Sequence, residues 1–185
     1  MDLIKRVVGA IFDFLQGIVV ILAIMVMIYL FIMSPQEING ASMEPNFHNG
    51  EYILTNKIEY KLKNPARGDV VIFKSPSNKE IDYIKRIIGL PGEEVLVTDG
   101  RITVRHADGS DELALQEDYI RRAGGDDDER VVLGPDEYFV AGDNRGFSFD
   151  SRDWGPLPSD NIVGLARLRL WPARQAMAIT APVYE

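Results

Sequence analysis

A chain of 185 residues predicts one domain with appended segments, and a composition of 46% hydrophobic and 26% charged residues is that of a folded globular protein. The formal net charge of -8 argues against a nucleic-acid-binding surface, because such a surface needs a basic stripe. The absence of cysteine excludes disulfides, thiolate metal sites and a cysteine nucleophile.

The first predicted element is a transmembrane helix over residues 14–33. No charged residue occurs from Phe14 to Gln36, and a helix needs roughly 20 apolar residues to cross a bilayer. A cleaved secretory signal has the same order of charged and apolar residues and is the alternative. Its apolar core is usually about 7–15 residues long, which is shorter than the segment here. We therefore predict an uncleaved, single-pass anchor.

The basic residues on either side of this segment predict its orientation. Lys5 and Arg6 precede it, and the next basic residue is Lys57. Because basic residues are retained on the cytoplasmic side, we expect residues 1–13 to be cytoplasmic. Residues 34–185 should then form a domain on the outer face of the cytoplasmic membrane, with the lipid bilayer as a partner.

Beyond residue 50, short β-branched runs alternate with turn residues. Short strands separated by Gly, Pro and Asp-Gly turns predict an antiparallel, mainly β domain and not a βαβ fold. The runs are EYILTNKI (51–58), GDVVIFK (68–74), DYIKRIIGL (82–90), PGEEVLV (91–97), GRITVRH (100–106), DEYFVAGDN (136–144) and NIVGLARLRLWP (161–172).

A polar stretch over residues 105–130 is the exception, and we expect it to be a variable surface insertion. Its acidic cluster, Asp126 to Glu129, could suggest calcium. The spaced ligands and closing glutamate of an EF-hand loop are missing, however, so the cluster predicts a solvated loop.

Ser42 follows the predicted anchor closely and is the first candidate catalytic residue. A serine hydroxyl is a weak nucleophile unless a base removes its proton. The chain has two histidines, His48 and His106, and neither lies in a recognisable catalytic motif. The Gly-x-Ser-x-Gly turn of α/β-hydrolases is also absent, because residue 44 is glutamate. We expect both histidines to be structural or solvated.

Lys85 is the second candidate. If residues 81–90 form a strand, alternation places four side chains on one face: Ile81, Tyr83, Lys85 and Ile87. Burial in such an apolar row would lower the pKa of the lysine and allow it to act as a neutral base. A surface lysine whose stem covers apolar residues is an equally good interpretation of the spacing alone.

Four motifs of the chain resemble, in order and character, those of bacterial type I signal peptidases, also called leader peptidases. They are SMEP (42–45), RGDVVIF (67–73), DYIKRIIGLPGE (82–93) and GDNRGFSFDSRDWGPLP (142–158). The resemblance covers nearly the whole chain, from the anchor to the last strands. It implies a β-rich catalytic core with a smaller inserted β-element.

The resemblance implies a Ser–Lys dyad without histidine, in which Ser42 is the nucleophile and Lys85 the general base. It also implies shallow apolar pockets that accept the small residues of an Ala-x-Ala cleavage site. The residues implied to line these pockets are Ile38, Met43, Phe47, Tyr83 and Ile84.

Four further positions are implied to support the dyad. Ser148 and Asp150 match positions that hold the lysine and its surroundings in place, and Arg152 and Arg86 match framework positions near the site. We expect Ser148 to hydrogen-bond the amine of Lys85. A carboxylate in direct contact would raise the pKa of the lysine, so we expect Asp150 to act through Ser148 or Arg152.

The chain departs from the family's pattern at two places. Some members have a serine two residues before the nucleophile, where its hydroxyl helps to form the oxyanion hole, and this chain has Gly40. The backbone N–H of Ser42 can still donate, but stabilisation of the intermediate must then come from the main chain or water. Gly146 and Phe147 replace the Asp-Asn of many relatives.

The activity implied is that of a membrane-bound serine endopeptidase that removes signal peptides from secreted preproteins. Its implied partners are these preproteins, the bilayer and the secretion translocon in proximity, with no nucleic acid, metal or cofactor. Two other hypotheses are a self-cleaving, repressor-type Ser–Lys protease and a membrane-anchored β-domain that only binds a partner. The apolar segment and acidic charge argue against the first, and the presence of both dyad residues argues against the second.

Overall fold

The computed structural model describes residues 2–106, 112–120, 128–182 and 184. Within these residues the chain is mainly β, as the sequence predicts. The α-helices and strands of the described residues are α1 (Asp2–Phe31), β1 (Met33–Glu37), β2 (Tyr52–Asn56), α2 (Glu59–Leu62), β3 (Val70–Lys74), β4 (Asp82–Gly89), β5 (Glu93–Thr98), β6 (Arg101–His106), β7 (Glu112–Ala114), β8 (Glu129–Val132), β9 (Glu137–Ala141), α3 (Ser151–Trp154), β10 (Leu157–Pro158), β11 (Ile162–Trp171) and β12 (Met177–Ala178).

Helix α1 is long and apolar enough to cross a membrane. It begins at Asp2, twelve residues before the predicted span of residues 14–33, and it ends at Phe31. Every side chain from Leu3 to Phe31 is exposed, so no side chain of the helix is buried against the rest of the protein. Where the bilayer begins and ends along it stays a prediction.

The larger sheet has the strand order β1-β2-β11-β3-β4-β9-β10, with β12 paired to β11. All of these pairs are antiparallel. Each of the seven predicted strand runs contains a strand, which confirms the antiparallel β-domain.

The smaller sheet has the order β7-β6-β5-β8 and is the inserted β-element. It is larger than the polar stretch at residues 105–130, because it already includes the hairpin of β5 and β6. The two-residue turn of this hairpin, Asp99-Gly100, has positive φ at both positions, which is the conformation that matches the twist of a tight hairpin. Asp126 and Asp127 of the predicted acidic loop lie outside the described residues.

Strands β3 and β4 are buried on both faces. In β3, Ile72 packs into a cluster with Ile53 on one side, and Phe73 packs into another cluster on the opposite side. In β4, Ile84 belongs to the same cluster as Ile72, and Ile87 belongs to the same cluster as Phe73. The core therefore lies on both sides of these central strands.

The prediction that Ile81 belongs to the apolar row of β4 was wrong. Ile81 precedes the strand, which begins at Asp82, and is 46% exposed. Arg86, on the face opposite Lys85, is buried as deeply as Lys85 is. Both faces of β4 are covered at this point because the strand lies inside the sheet, between β3 and β9.

We expect the same substitution to have very different effects at two positions of the smaller sheet. Val95 of β5 is 0% exposed, whereas Val132 of β8 is 57% exposed. Val95→Ala should lower the free energy of unfolding by about 2 kcal/mol, because it removes two buried methyl groups and leaves a cavity. Val132→Ala should change it by less than about 0.5 kcal/mol. Urea unfolding of the detergent-solubilised full chain measures both, and equal losses would contradict the assigned burial.

Candidate active site

Ser42 lies at the start of a tight turn that follows β1. The turn is closed by backbone hydrogen bonds from Glu44 N to Ala41 O (3.2 Å) and from Phe47 N to Met43 O (3.0 Å). Met43 and Phe47 are almost completely buried in the same apolar cluster. Two core side chains therefore hold the backbone on which Ser42 is presented.

Lys85, in the middle of β4, reaches this turn. Its Nζ lies 2.7 Å from Ser42 Oγ and donates to the backbone oxygen of Ile84 at 3.0 Å. It also lies 5.6 Å from the centre of the Tyr83 ring. The lysine is only 4% exposed, so of the two interpretations that the sequence left open, the structure favours the buried amine.

Burial lowers the pKa of Lys85 to about 8. The negative charges of Asp150 and Asp143 act in the opposite direction, and the positive charge of Arg152 adds to the lowering. Desolvation outweighs the carboxylates, so an appreciable fraction of the lysine is neutral in mildly alkaline solution.

Asp150 is paired with Arg152 and not with Lys85. Its two carboxylate oxygens accept hydrogen bonds from Arg152 Nε and Nη2, both at 2.8 Å. Although burial acts to raise the pKa of Asp150, these bonds, together with Ser148 and the N–H of Gly142, hold it below its ordinary value. Asp150 also caps α3 in a reciprocal arrangement with Asp153. The carboxylate is thereby kept ionised by a partner other than the lysine.

Ser148 is half-buried, and its hydroxyl oxygen is shielded from solvent. The hydroxyl is near enough to Asp150 to help lower the pKa of that carboxyl, but it makes no hydrogen bond of normal geometry among the described residues. The expected hydrogen bond to Lys85 is therefore not seen. The hydroxyl instead packs against Gly142, where an added Cβ would lie 2.2 Å from Ser148 Oγ and 2.4 Å from the backbone oxygen of Ser42. Position 142 therefore has no room for a side chain, because the end of β9 and the Ser42 turn are in direct contact there.

Asn144 is a site residue that the sequence reasoning missed. Its backbone N–H donates to Ser42 O at 3.0 Å, and its side-chain Nδ2 donates to Ala41 O at 3.0 Å. It therefore holds the two peptide groups on either side of the Ser42 Cα. The signal available in the sequence was its place in the Gly-Asp-Asn motif directly after a strand.

Arg86 belongs to a buried polar network behind the dyad. Its Nε and Nη2 donate to the two carboxylate oxygens of Asp143 at 2.8 and 2.6 Å. Its guanidinium also stacks 4.4 Å from the ring centre of Tyr119. Arg145 and Glu117 form a second buried ion pair in the same region. Because each buried charge is paired, the network ties β4 to the segment after β9.

A groove of about 710 Å³ opens beside Ser42 and Lys85. Three of the five predicted pocket residues line it, namely Ile38, Tyr83 and Ile84. Met43 and Phe47 do not, because they face the core cluster that also contains Ile38 and Ile84 and so pack behind the groove wall. Further lining residues are Gln36, Glu37, Asn39, Gly40, Ala41, Ile53, Ile72, Glu80, Ile81, Asp82, Phe147 and Phe149.

Gly40, at the position where some relatives have serine, has φ +106°, a conformation that favours glycine. Its N–H donates a hydrogen bond to Asn49 Oδ1 at 2.8 Å. The N–H of Ser42, in contrast, donates to no acceptor in the described part of the chain. The backbone N–H of Ser42 is therefore available as a hydrogen-bond donor beside the Ser42 hydroxyl.

Neither histidine contacts Ser42 within the described ranges. His48 is largely exposed and lies 3.4 Å from a carboxylate oxygen of Glu51. His106 ends β6 of the smaller sheet, where it pairs with Glu93. Lys85 is the titratable group that the fold places against the Ser42 hydroxyl.

Residues 11–171 match the family model described as "Signal peptidase, peptidase S26". The chain is 38% identical over 163 residues to signal peptidase I V of Bacillus subtilis, covering 83% of this chain and 95% of that protein. It is 35% identical over 155 residues to the probable signal peptidase I-2 of Synechocystis, covering 81% of this chain and 68% of that protein. A crystal structure of a signal peptidase I from Enterococcus faecalis aligns with a TM-score of 0.47 at 30% identity, over 56% of this chain and 97% of that chain.

The lowered pKa of Lys85 predicts that this residue destabilises the fold at neutral pH. Its pKa is about 8 in the folded protein against an ordinary value of 10.5, so the folded state binds fewer protons than the unfolded state between these values. The cost of burying the ammonium is fully present below about pH 8 and is relieved as the pH rises to 10.5. We expect Lys85→Met to raise Tm at pH 7, with an advantage that shrinks above pH 8.

Calorimetry of the detergent-solubilised full chain from pH 6 to 10 measures this difference. Lys61→Met is the matched control, because Lys61 is exposed on α2, and it should leave Tm unchanged. A Lys85→Met advantage that grows with pH would contradict the assigned sign.

Proposed function

Because this chain belongs to the signal peptidase family, peptidase S26, and is therefore a peptidase, we propose that it removes N-terminal signal peptides from secreted preproteins with Ser42 as nucleophile and Lys85 as general base. The observation that carries the assignment is the 2.7 Å separation between Lys85 Nζ and Ser42 Oγ at the edge of the groove. A lysine acts as a base only when it is neutral, and the burial of Lys85 favours the neutral form.

In the acylation step, neutral Lys85 accepts the proton of the Ser42 hydroxyl while Oγ attacks the carbonyl carbon of the scissile bond. The resulting ammonium then returns a proton to the nitrogen of the leaving amine, and the C–N bond breaks. The signal segment remains as an ester on Ser42. In deacylation, Lys85 takes a proton from water, whose oxygen attacks the ester carbonyl. The ammonium then returns the proton to Ser42 Oγ as the C–Oγ bond breaks, which frees the signal peptide with a carboxyl terminus.

The N–H of Ser42 is the proposed oxyanion donor of the tetrahedral intermediate. It is available because the described residues offer it no other acceptor. Asn144 supports it, since it hydrogen-bonds the carbonyl oxygen of the Ala41–Ser42 peptide group, which carries this N–H, and the carbonyl oxygen of Ser42 in the next peptide group. Gly40 contributes no side chain, so a second donor has to come from the main chain or water.

The groove wall supports cleavage after small residues. Ile38, Tyr83 and Ile84 line it, and Met43 and Phe47 fill the space directly behind. A closely packed wall leaves little depth for a large side chain next to Ser42. Residues of the Ala-x-Ala type fit such a shallow surface.

The position of Ser42 near α1 supports a substrate held in the same membrane. Ten residues separate Phe31 from Ser42, so the hydroxyl lies no more than about 40 Å along the chain from the helix end. A preprotein's cleavage site likewise follows its own apolar segment. Anchoring both in one bilayer raises their effective concentration. We propose residues 1–13 as cytoplasmic, with the catalytic domain on the outer face near the translocon.

The first test is mutation of the dyad. Ser42→Ala and Lys85→Met should each reduce preprotein cleavage by at least about a thousandfold, and the double mutant should be hardly worse, because the two residues form one proton-transfer unit. Ser34→Ala, which removes another buried serine outside the groove, should stay active. Cleavage is followed by gel shift of the preprotein. Near-normal activity of Ser42→Ala would refute the assignment.

The second test is the pH dependence of kcat/KM. The rate should rise through an apparent pKa of about 8 as Lys85 loses its proton. His48→Gln and His106→Gln should retain this profile, because neither imidazole contacts Ser42 in the described ranges. An acidic limb of the kcat/KM profile with an apparent pKa near ~6.5 that disappears in either variant would identify an imidazole base and exclude the Ser–Lys mechanism.

A further inference from the structure

A lysine of the catalytic domain holds the end of helix α1. Lys57 directly follows β2, and its Nζ donates to the backbone oxygens of Tyr29 at 3.1 Å and Leu30 at 3.4 Å. Its backbone N–H donates to Ile32 O at 2.8 Å. The ammonium also lies 5.5 Å from the centre of the Tyr29 ring. One residue thus contacts the last helical turn and the residue beyond it.

These contacts meet a requirement of the helix itself. The last carbonyl groups of a helix have no partner within it and carry the negative end of the helix dipole. The final turn of α1 contains no basic residue of its own. Close to lipid, unpaired carbonyl groups are costly. Lys57, the first basic residue after the apolar segment, supplies both the donors and the positive charge.

Apart from these contacts, only one residue of main chain connects α1 to the sheet. The helix ends at Phe31 and β1 begins at Met33, which pairs with Asn56 at the end of β2. A single covalent connection leaves the helix free to swing about residue 32. The hydrogen bonds from Lys57, next to Asn56, attach the helix to the sheet at a second point. Two points of attachment fix the direction of α1 relative to the sheet.

We infer that Lys57 is a positioning residue that sets the direction of α1 relative to the catalytic sheet, and thereby the height of the groove above the membrane. The inference rests on the proposed function. Ser42 and the groove lie beyond the far end of β1, at Glu37, so a small change of angle at residue 32 is amplified there. Cleavage of a membrane-held preprotein should depend on this angle, whereas cleavage of a freely diffusing peptide should not.

The test compares two substrates with the full chain reconstituted in phosphatidylethanolamine–phosphatidylglycerol vesicles. One is a preprotein whose signal segment is inserted in the same vesicles, and the other is a short water-soluble peptide with an Ala-x-Ala site. The variants are Lys57→Met, Lys57→Arg and the control Lys61→Met, whose side chain lies nearby on α2 and is exposed.

Lys57→Met should lower kcat/KM for the inserted preprotein by about tenfold, because part of the effective concentration is lost, and leave the peptide rate within about twofold. Lys57→Arg should restore preprotein cleavage, since a guanidinium can donate to both carbonyl oxygens, and Lys61→Met should match wild type. Unchanged preprotein cleavage in Lys57→Met, or an equal fall of kcat/KM on both substrates, would overturn the positioning role of Lys57 and leave the proposed function standing. Wild-type protein that cleaves neither substrate would overturn the proposed function as well.

Discussion

A lysine amine has to be buried against a serine hydroxyl in this molecule, and the rest of the candidate site is built around that requirement. Removing an ammonium from water is costly, and the protein reduces the cost by allowing Lys85 to lose its proton at about pH 8. The same burial that weakens the fold favours the neutral amine, which the proposed role as a base requires. Stability and reactivity therefore oppose each other at one side chain, which is a common feature of catalytic sites.

The neighbouring charges are arranged so that they do not cancel this effect. Asp150 would hold the ammonium in its charged form if it paired with Lys85, but both of its oxygens are occupied by Arg152. Asp143 is likewise occupied by Arg86. Each carboxylate that faces the lysine has an arginine partner, so desolvation remains the dominant influence on its pKa.

The backbone contributes as much to the site as the titratable side chains do. Gly142 lets β9 approach the Ser42 turn more closely than any other residue would allow, and Asn144 holds the two peptide groups on either side of the Ser42 Cα. Beyond the site, β1 connects the turn directly to the end of α1. The Ser42 hydroxyl is thus fixed both to the core of the domain and, through few residues, to the apolar helix.

The apolar helix, the antiparallel strands, and Ser42 and Lys85 as a candidate dyad were all predictable from the amino-acid sequence. These features depend on local periodicity, turn residues and short motifs, which a chain carries without reference to its fold. The burial of Lys85 is known only from the fold, because the sequence spacing fitted a surface lysine equally well. The fold also places Met43 and Phe47 in the core and not in the groove wall, leaves Ser148 without its expected hydrogen bond to Lys85, and brings Asn144 and Lys57 to their partners. Those outcomes depend on which segments meet across the curled sheet, and contacts between residues far apart in the chain leave no local signal in sequence.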